Sequence, residues 1–319
     1  MPQADDENTR AAGPYDSAYH APVLCKTVVE GLVTKRDGVY VDGTMGGGGH
    51  TAALLDALAP GGRVVGIDRD ADAIAEARRR LAPAVEAGRL ITVHGAFAQL
   101  PLWLANLELE HVDGILVDLG VSSHQIDTAA RGFSFQASGD LDMRMDVAQD
   151  VSAHAIVNTT PQAALADLIY QYGEERRSRR IAERIVMARP LETTAELAEV
   201  VRKAVPAREA AKTLARVFQA IRIAVNGELD ELEDLLAAAV ETLAPDGRLA
   251  VISYHSLEDR RVKHFMKFGN LEGAPIHDMY GNLQTPWRLI TRKVVKADAH
   301  EVATNPRARS ARLRIAARK

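Results

Sequence analysis

The sequence predicts an α/β protein, an open and largely parallel sheet with a block of helices inserted in the middle of the chain. Three observations carry this. Short β-rich apolar runs alternate with helix-like segments from Val39 to Leu119. A glycine-dominated turn, Gly43 to Gly49, joins the first of these runs to a helix. Between Ser122 and about Asn226 the strand signal stops, to resume at Arg248 to Ser253.

Taken in order, Met1 to Ser17 is polar and broken by proline, so residues 1–18 are expected to be a disordered segment. Tyr19 to Leu24 introduces an apolar helix through Leu32, and the Arg36-Asp37-Gly38 turn delivers the chain into a first strand, Val39 to Asp42. Thr51 to Leu58 is the helix after the glycine turn. Arg63 to Asp68 is a second buried strand, Asp70 caps a helix with Ile74, Ala77 and Leu81 on one face, and Leu90 to Val93 is a third strand. Val112 to Leu119 is a fourth, with Asp118 at its carboxyl end. Ser152 to Val205 reads as several helices broken at Pro161, Pro190 and Pro206. A helix over Glu228 to Leu243, the Ala244-Pro245-Asp246-Gly247 turn and the fifth strand follow. Ala311 to Ala316 alternates apolar and basic, as a final strand with one face in solvent would. The division expected is therefore one domain from 19–125 and 222–319, interrupted by a helical domain at 126–221.

With 319 residues, 47% of them hydrophobic, the chain can bury a large core. No apolar run approaches the roughly 18 residues of a membrane helix, and the first residues lack a signal-peptide core, so no membrane association and a cytoplasmic protein are expected. The single cysteine, Cys25, excludes an internal disulfide, and ten histidines without ligand spacing give no zinc motif. The net charge of −4 is unevenly spread. Residues 288–319 carry ten Lys/Arg against two acids, leaving 29 basic and 41 acidic residues in the remainder. That polarity suits a phosphate-binding surface on an acidic body, with a solvated tail as the plainer alternative. Glu174 to Arg184, rich in both signs, reads as a solvated helix face, with a grip on RNA phosphates as the other reading.

Chemistry gathers at strand ends. A strand that stops in glycines and restarts as a helix leaves N–H groups and the positive end of a helix dipole facing one crevice. Asp68 ends the second strand 22 positions after Gly46, near the spacing at which an acid takes ribose hydroxyls. Gly46 to His50, Asp68, Phe97 and Asp118 should converge, because the carboxyl ends of parallel strands share one crevice. Asp42-Gly43-Thr44-Met45-Gly46-Gly47-Gly48 suits an S-adenosylmethionine site, with Thr44 in place of the first glycine, better than the G-x-G-x-x-G of a dinucleotide site.

Several further strings then accumulate: Asp118-Leu119-Gly120-Val121-Ser122-Ser123, Arg131-Gly132-Phe133-Ser134-Phe135, Leu141-Asp142-Met143-Arg144-Met145-Asp146, Tyr172-Gly173-Glu174-Glu175-Arg176, Phe218-Gln219-Ala220-Ile221-Arg222, His255-Ser256-Leu257-Glu258-Asp259-Arg260 and Asn305-Pro306-Arg307-Ala308-Arg309-Ser310. In order and spacing they resemble the bacterial 16S rRNA cytosine N4-methyltransferase family, RsmH or MraW, from about His20 to Arg318. The resemblance implies a Rossmann-like S-adenosylmethionine-dependent methyltransferase sheet with an inserted helical domain. It implies S-adenosyl-L-methionine as cofactor and, as acceptor, the N4 amine of a decoding-centre cytidine of 16S rRNA within the small ribosomal subunit. Family cofactor contacts carry over onto Gly48, Gly49, His50, Asp68, Phe97, Asp118 and Gln125. His124, where proline is frequent, and Tyr254, where phenylalanine is frequent, depart from the commoner pattern, as does a short stretch after Phe268.

A cytosine amine is a poor nucleophile, so an acceptor must orient its N–H, and Asp118 is the catalytic candidate. Other amino-group methyltransferases carry Asp-Pro-Pro-aromatic here. This chain has Asp118-Leu119-Gly120-Val121, so an aromatic for a flipped base must come from elsewhere, with Phe133, Phe135 and Tyr254 as candidates. His255 is a further candidate, although a helix-start histidine bonded to Glu258 is the simpler reading. Two rivals share parts of this pattern, a nicotinamide-dependent oxidoreductase and a non-catalytic small-subunit assembly factor.

Overall fold

A computed structural model of the chain describes Tyr15 and residues 22–319, so the segment expected to be disordered lies outside the described residues except at Tyr15. Helix α1 (Cys25–Leu32) leads into β1 (Val39–Asp42), α2 (Gly49–Ala57), β2 (Arg63–Asp68), α3 (Ala71–Arg80), α4 (Ala82–Glu86), β3 (Leu90–His94), α5 (Leu100–Asn106) and β4 (Val112–Asp118). A short α6 (Ser123–Asp127) precedes five consecutive helices, α7 (Ala153–Thr159), α8 (Gln162–Gly173), α9 (Ser178–Met187), α10 (Thr194–Ala204) and α11 (Ala207–Asn226). The chain closes with α12 (Glu228–Thr242), β5 (Leu243–Ser253), α13 (Ser256–Phe268), β6 (Trp287–Leu289), α14 (Ala299–Thr304) and β7 (Arg312–Arg318).

The seven strands form one sheet in the order β3-β2-β1-β4-β5-β7-β6, parallel from β1 to β5, with β7 antiparallel to both β5 and β6. This is a Rossmann-like α/β fold, as the sequence predicts. The inner strands are near-continuous apolar runs because helices cover both faces. On one face Val28 and Leu32 of α1, Leu54 and Leu55 of α2 and Ala77 of α3 pack on Tyr40, Val64 and Leu116. On the other, Leu100 and Leu104 of α5, Leu232, Leu235 and Leu236 of α12 and Phe265 and Met266 of α13 pack on Val41, Ile115 and Val251. Strand order reverses between β1, which continues to β2, and β4, which continues to β5. Ligands of such sheets bind at the carboxyl ends beside that reversal.

Helices α7 to α11 enclose a separate apolar cluster that includes Val157, Ile169, Ile181, Val201 and Phe218. The three prolines act as the sequence indicates. Pro161 and Pro206 occupy the N-caps of α8 and α11, and Pro190 follows α9. Thr193 and Glu196 form a capping box at the start of α10. The expected boundaries at 125/126 and 221/222 both fall inside helices, α6 and α11. The chain turns back toward the sheet at Gly227, whose φ of 61° a side chain would oppose.

Two other expectations are corrected. The final strand is not half in solvent: β7 lies between β5 and β6, and Arg312 and Arg314 converge on Asp259 of α13 at 3.2 and 2.7 Å. The charged run after Glu174 is not all solvated face, since Glu175 is buried and accepts bonds from Thr213 and Arg216. No helix among the described residues is long and apolar enough to cross a membrane.

Asn226 fastens the helical block to the loop after α6. Its buried amide donates to Met143 O (2.8 Å) and Arg222 O (2.9 Å) and accepts from Met145 N–H (2.8 Å). Replacing it with alanine leaves buried backbone groups without partners, at about 1–3 kcal/mol. Asn226→Ala is therefore expected to lower the urea midpoint by a matching amount; an unchanged midpoint would mean that these bonds contribute nothing net.

Candidate active site

The crevice opens at the carboxyl ends of β1, β2 and β4. Its floor is the turn after β1, held by both neighbouring strands: Gly43 N–H donates to Leu116 O (2.8 Å) of β4, and Met45 N–H to Ile67 O (2.9 Å) of β2. Thr44 Oγ1 accepts the Asp118 N–H (2.6 Å), and Asp68 Oδ2 accepts the Gly46 N–H (2.7 Å). Gly46, at φ 51°, is placed where a Cβ would meet no protein atom nearer than 4.0 Å, so the loop is open on that side. Beneath the turn, buried Asp42 accepts from the Thr51 hydroxyl (2.7 Å). Burial pushes its carboxyl up, with His50 acting against that.

Of the residues singled out from sequence, Gly49, His50, Asp68, Phe97, Asp118 and Gln125 all line this crevice. Gly48 does not. It stands at the N-cap of α2, where a Cβ would meet Leu81 and Ala77 on the α3 side. No side chain caps α2, which leaves its first turn to offer N–H groups.

His50 is almost fully enclosed, with Nε2 2.9 Å from Val23 O and Nδ1 3.8 Å from Asp118 Oδ2. A carbonyl can only accept, so Nε2 carries the proton of that bond and Nδ1 faces the carboxylate. Asp118 Oδ1 in turn accepts from the Tyr254 hydroxyl at 2.8 Å. Burial, and then the Asp118 charge, push the Tyr254 phenol well above its usual range, so at neutral pH it remains a donor. Among the three aromatic candidates only Tyr254 lines the crevice. Phe133 and Phe135 pack on the helical cluster, Phe135 edge-on to Phe218 at 5.3 Å.

Asp68 accepts from Asp70 N–H (2.9 Å) as well as from Gly46, and burial raises its carboxyl to about 6 against the pull of those two bonds. Gln125 closes the wall next to it. The residue forms a capping box with Ser122 and donates to Asp70 Oδ2 (2.8 Å), which also meets Arg131 at 3.0 Å. Its amide thus holds the loop after β4 to the start of α3.

The far wall was not singled out from sequence. Arg69, just past β2, bonds Asn226 O (2.9 Å) and Glu231 of α12, and Glu231 accepts the Phe97 N–H (3.0 Å). Beside these, Glu228 pairs with Arg222 through both oxygens at 2.8 Å. Glu258 accepts from Tyr254 N–H (2.8 Å) and lies 2.9 Å from His255 Nε2. Burial alone would raise the Glu258 carboxyl, but His255 and Arg222 outweigh it and hold it low. His255 therefore sits at the helix start against Glu258, as the simpler reading has it. Glu228, His255 and Glu258 bring ligand atoms within 4.8 Å of one another, but the Arg222 guanidinium already supplies a cation there. The Arg69 and Phe97 bonds to Glu231 join residues more than a hundred positions apart, and only the acidic first turn of α12 hints at them.

Comparisons with known proteins agree on one family. A model of the MraW methylase family matches residues 17–319. The chain is 46% identical over 307 residues to Ribosomal RNA small subunit methyltransferase H of Bacteroides fragilis, covering 95% of this chain and 99% of that protein. It is 48% identical over 306 residues to the protein of the same name from Syntrophotalea carbinolica, covering 92% and 96%. Against that of Magnetococcus marinus it is 47% identical over 311 residues, covering 94% and 98%.

The Asp68 carboxyl gives a test of this geometry that needs no ligand. The folded chain holds its proton more tightly than the unfolded chain, where the value is 3.8. Ionised Asp68 therefore costs stability above pH 6, and the cost fades as pH falls from 6 toward 4. Between pH 7.5 and pH 5 the wild type should gain stability relative to Asp68→Asn in urea melts; a gap independent of pH would show an ordinary carboxyl.

Proposed function

The chain belongs to the MraW methylase family, and on that premise we propose that it methylates the N4 amine of a decoding-centre cytidine in small-subunit ribosomal RNA. S-adenosyl-L-methionine is its cofactor. The near-full-length likeness to proteins named for ribosomal RNA methylation supports the substrate class. One observation of the site carries the acceptor chemistry: Asp118 ends β4 inside the crevice, its carboxylate fixed by the Tyr254 hydroxyl and facing His50.

The crevice fits this cofactor. It combines an open glycine turn, the uncapped start of α2, an acid on the neighbouring strand and apolar walls from Phe97, Leu119 and Met145. Gly49 and His50 would hold the methionine part, Asp68 the ribose and Phe97 the adenine face. Gln125 keeps the loop against them, and Gly48 contributes through the backbone bend at the start of α2. When bound, the cofactor supplies an electrophilic methyl group.

The protein's own part is placement. Asp118 receives an N4 hydrogen of the cytosine, which fixes the amine's direction and draws electron density toward nitrogen. Tyr254 keeps the Asp118 carboxylate from rotating and, of the three aromatics considered for a flipped base, is the one that lines the crevice. The proton lost from N4 passes to the Asp118 carboxylate. Residues 126–221 would form the substrate-side domain, and a ribosomal substrate would make this a cytoplasmic enzyme.

Methyl transfer from labelled S-adenosylmethionine to small subunits from cells lacking this gene, followed by nucleoside mass spectrometry and mapping, should yield N4-methylcytidine at one decoding-centre site. Absence of transfer despite tight S-adenosylhomocysteine binding would refute the acceptor reading. Asp118→Asn is expected to lower kcat by about 100-fold or more while S-adenosylhomocysteine binds nearly as before. Lost affinity with normal turnover at saturation would make Asp118 a cofactor ligand only. Because ribose hydroxyls donate to the ionised acid, S-adenosylhomocysteine affinity should fall as pH drops below about 6, and Asp68→Asn should remove that dependence in calorimetry.

A further inference from the structure

Beside the crevice lies a second groove, walled by the end of α8, the start of α9, α11 and the first turns of α13. Its volume is about 850 Å³. Five cations line it, Arg176, Arg177, Lys212, Arg216 and Arg260, against three carboxylates. Every carboxylate is matched from within. Buried Glu175 takes Arg216 at 3.3 Å, Glu209 takes Arg177, and Glu174 takes Arg260 at 3.1 Å. Each of these arginines uses one guanidinium nitrogen for its partner and keeps further N–H donors. Arg176 and Lys212 are exposed and pair with no carboxylate among the described residues, which leaves the groove with an excess of two positive charges, five cations less three carboxylates. Tyr170, on the same rim, is 59% exposed.

The groove and the crevice share one element. Glu174 also accepts from the Ser256 hydroxyl, and Ser256 opens α13 directly after Tyr254 and His255. The start of α13 thus borders both, with Tyr254 and Glu258 in the crevice and Leu257 and Arg260 in the groove.

We infer that this groove binds the phosphodiester backbone of the RNA strand flanking the target base, with Tyr170 stacking on one of its bases. The inference rests on the ribosomal RNA reading above and extends it to a named surface. Arginine forks suit phosphate oxygens, and a cationic groove edged by an open aromatic ring is the combination that single-stranded nucleic acid uses. An acidic peptide would answer the charge but leave the ring without a function.

The test measures binding of a fluorescent single-stranded oligoribonucleotide to the full chain by anisotropy at several salt concentrations. The double variant Arg176→Glu with Lys212→Glu should bind at least about tenfold more weakly. Its slope of log K against log salt should be shallower by about 1.4, at roughly 0.7 per lost phosphate contact. Tyr170→Ala should lose affinity without a change of slope, and S-adenosylhomocysteine binding should be unaltered in both. Unchanged RNA affinity and slope in the double variant would overturn the inference, as would polyglutamate displacing the RNA equally well at equal charge. Should the wild type methylate ribosomal subunits while the double variant keeps its KM and RNA affinity, the groove falls and the function stands. Should the oligonucleotide bind through these residues while no ribosomal RNA is methylated, the function falls and the groove stands.

Discussion

The hydrogen bond from the Asp118 N–H to Thr44 Oγ1 is the contact on which the rest of the site depends. It ties the end of β4 to the turn after β1, across the reversal of strand order, and so sets the Asp118 carboxylate at a fixed place relative to the start of α2. The Gly46–Asp68 bond does the same from the β2 side. With both neighbours gripping it, a loop rich in glycine behaves as a rigid part, and its conformational freedom serves to reach a left-handed backbone at Gly46 and Gly48 rather than to move. This is why two acids from two strands, Asp68 and Asp118, keep fixed places in one crevice, with a third, Asp42, beneath its floor.

Those acids are kept apart in character by their surroundings. Asp42 is sealed beneath the turn, Asp68 is walled in but bonded to two N–H groups, and Asp118 is flanked by a phenol and an imidazole. A second set of contacts holds α12: Glu231 ties it to Arg69 after β2 and Phe97 after β3, and Glu228 ties it to Arg222 of α11. Buried pairs of this kind add little net stability, since desolvation opposes attraction, but breaking one leaves a stranded charge. Their effect here is positional. Glu231 pins the backbone of Phe97, so the aromatic wall and the start of α12 keep a constant spacing.

Much of this was legible in the sequence because parallel strands between covering helices leave a strong apolar signal, and because their carboxyl ends must meet. Six of the seven residues carried over as cofactor contacts line the crevice. Gly48 stands apart because a glycine run does not say which of its members turns outward; its left-handed backbone places it against α3. Strand β6, three residues long, is too short to register as a pattern. Loss of strand signal does not locate a helix end: α11 runs from the helical block toward the sheet as one continuous rod, and only Gly227 marks where it stops. Arg69 and Glu231 could not be found, for pairing across more than a hundred residues has no local signature; Glu228 pairs only six positions back, but across the break between α11 and α12, which helical spacing does not reveal.

The basic carboxyl-terminal region shows why counting charge is a weaker guide than placing it. From sequence, residues 288–319 resemble an exposed phosphate-binding arm. In the fold, Arg288 meets Asp246, Arg307 meets Asp127, Arg312 and Arg314 share Asp259, and Arg318 donates to Leu243 O. Half of the ten cations are thus spent on holding β6, β7 and their neighbours together. Removing Arg307 to Lys319 would delete an interior strand, so loss of RNA binding in such a truncation would carry no information about phosphate contacts. Excess positive charge near the crevice is found in the α8–α9–α11 segment, where the sequence shows a run of mixed sign and the folding of each groove carboxylate onto an arginine leaves Arg176 and Lys212 over.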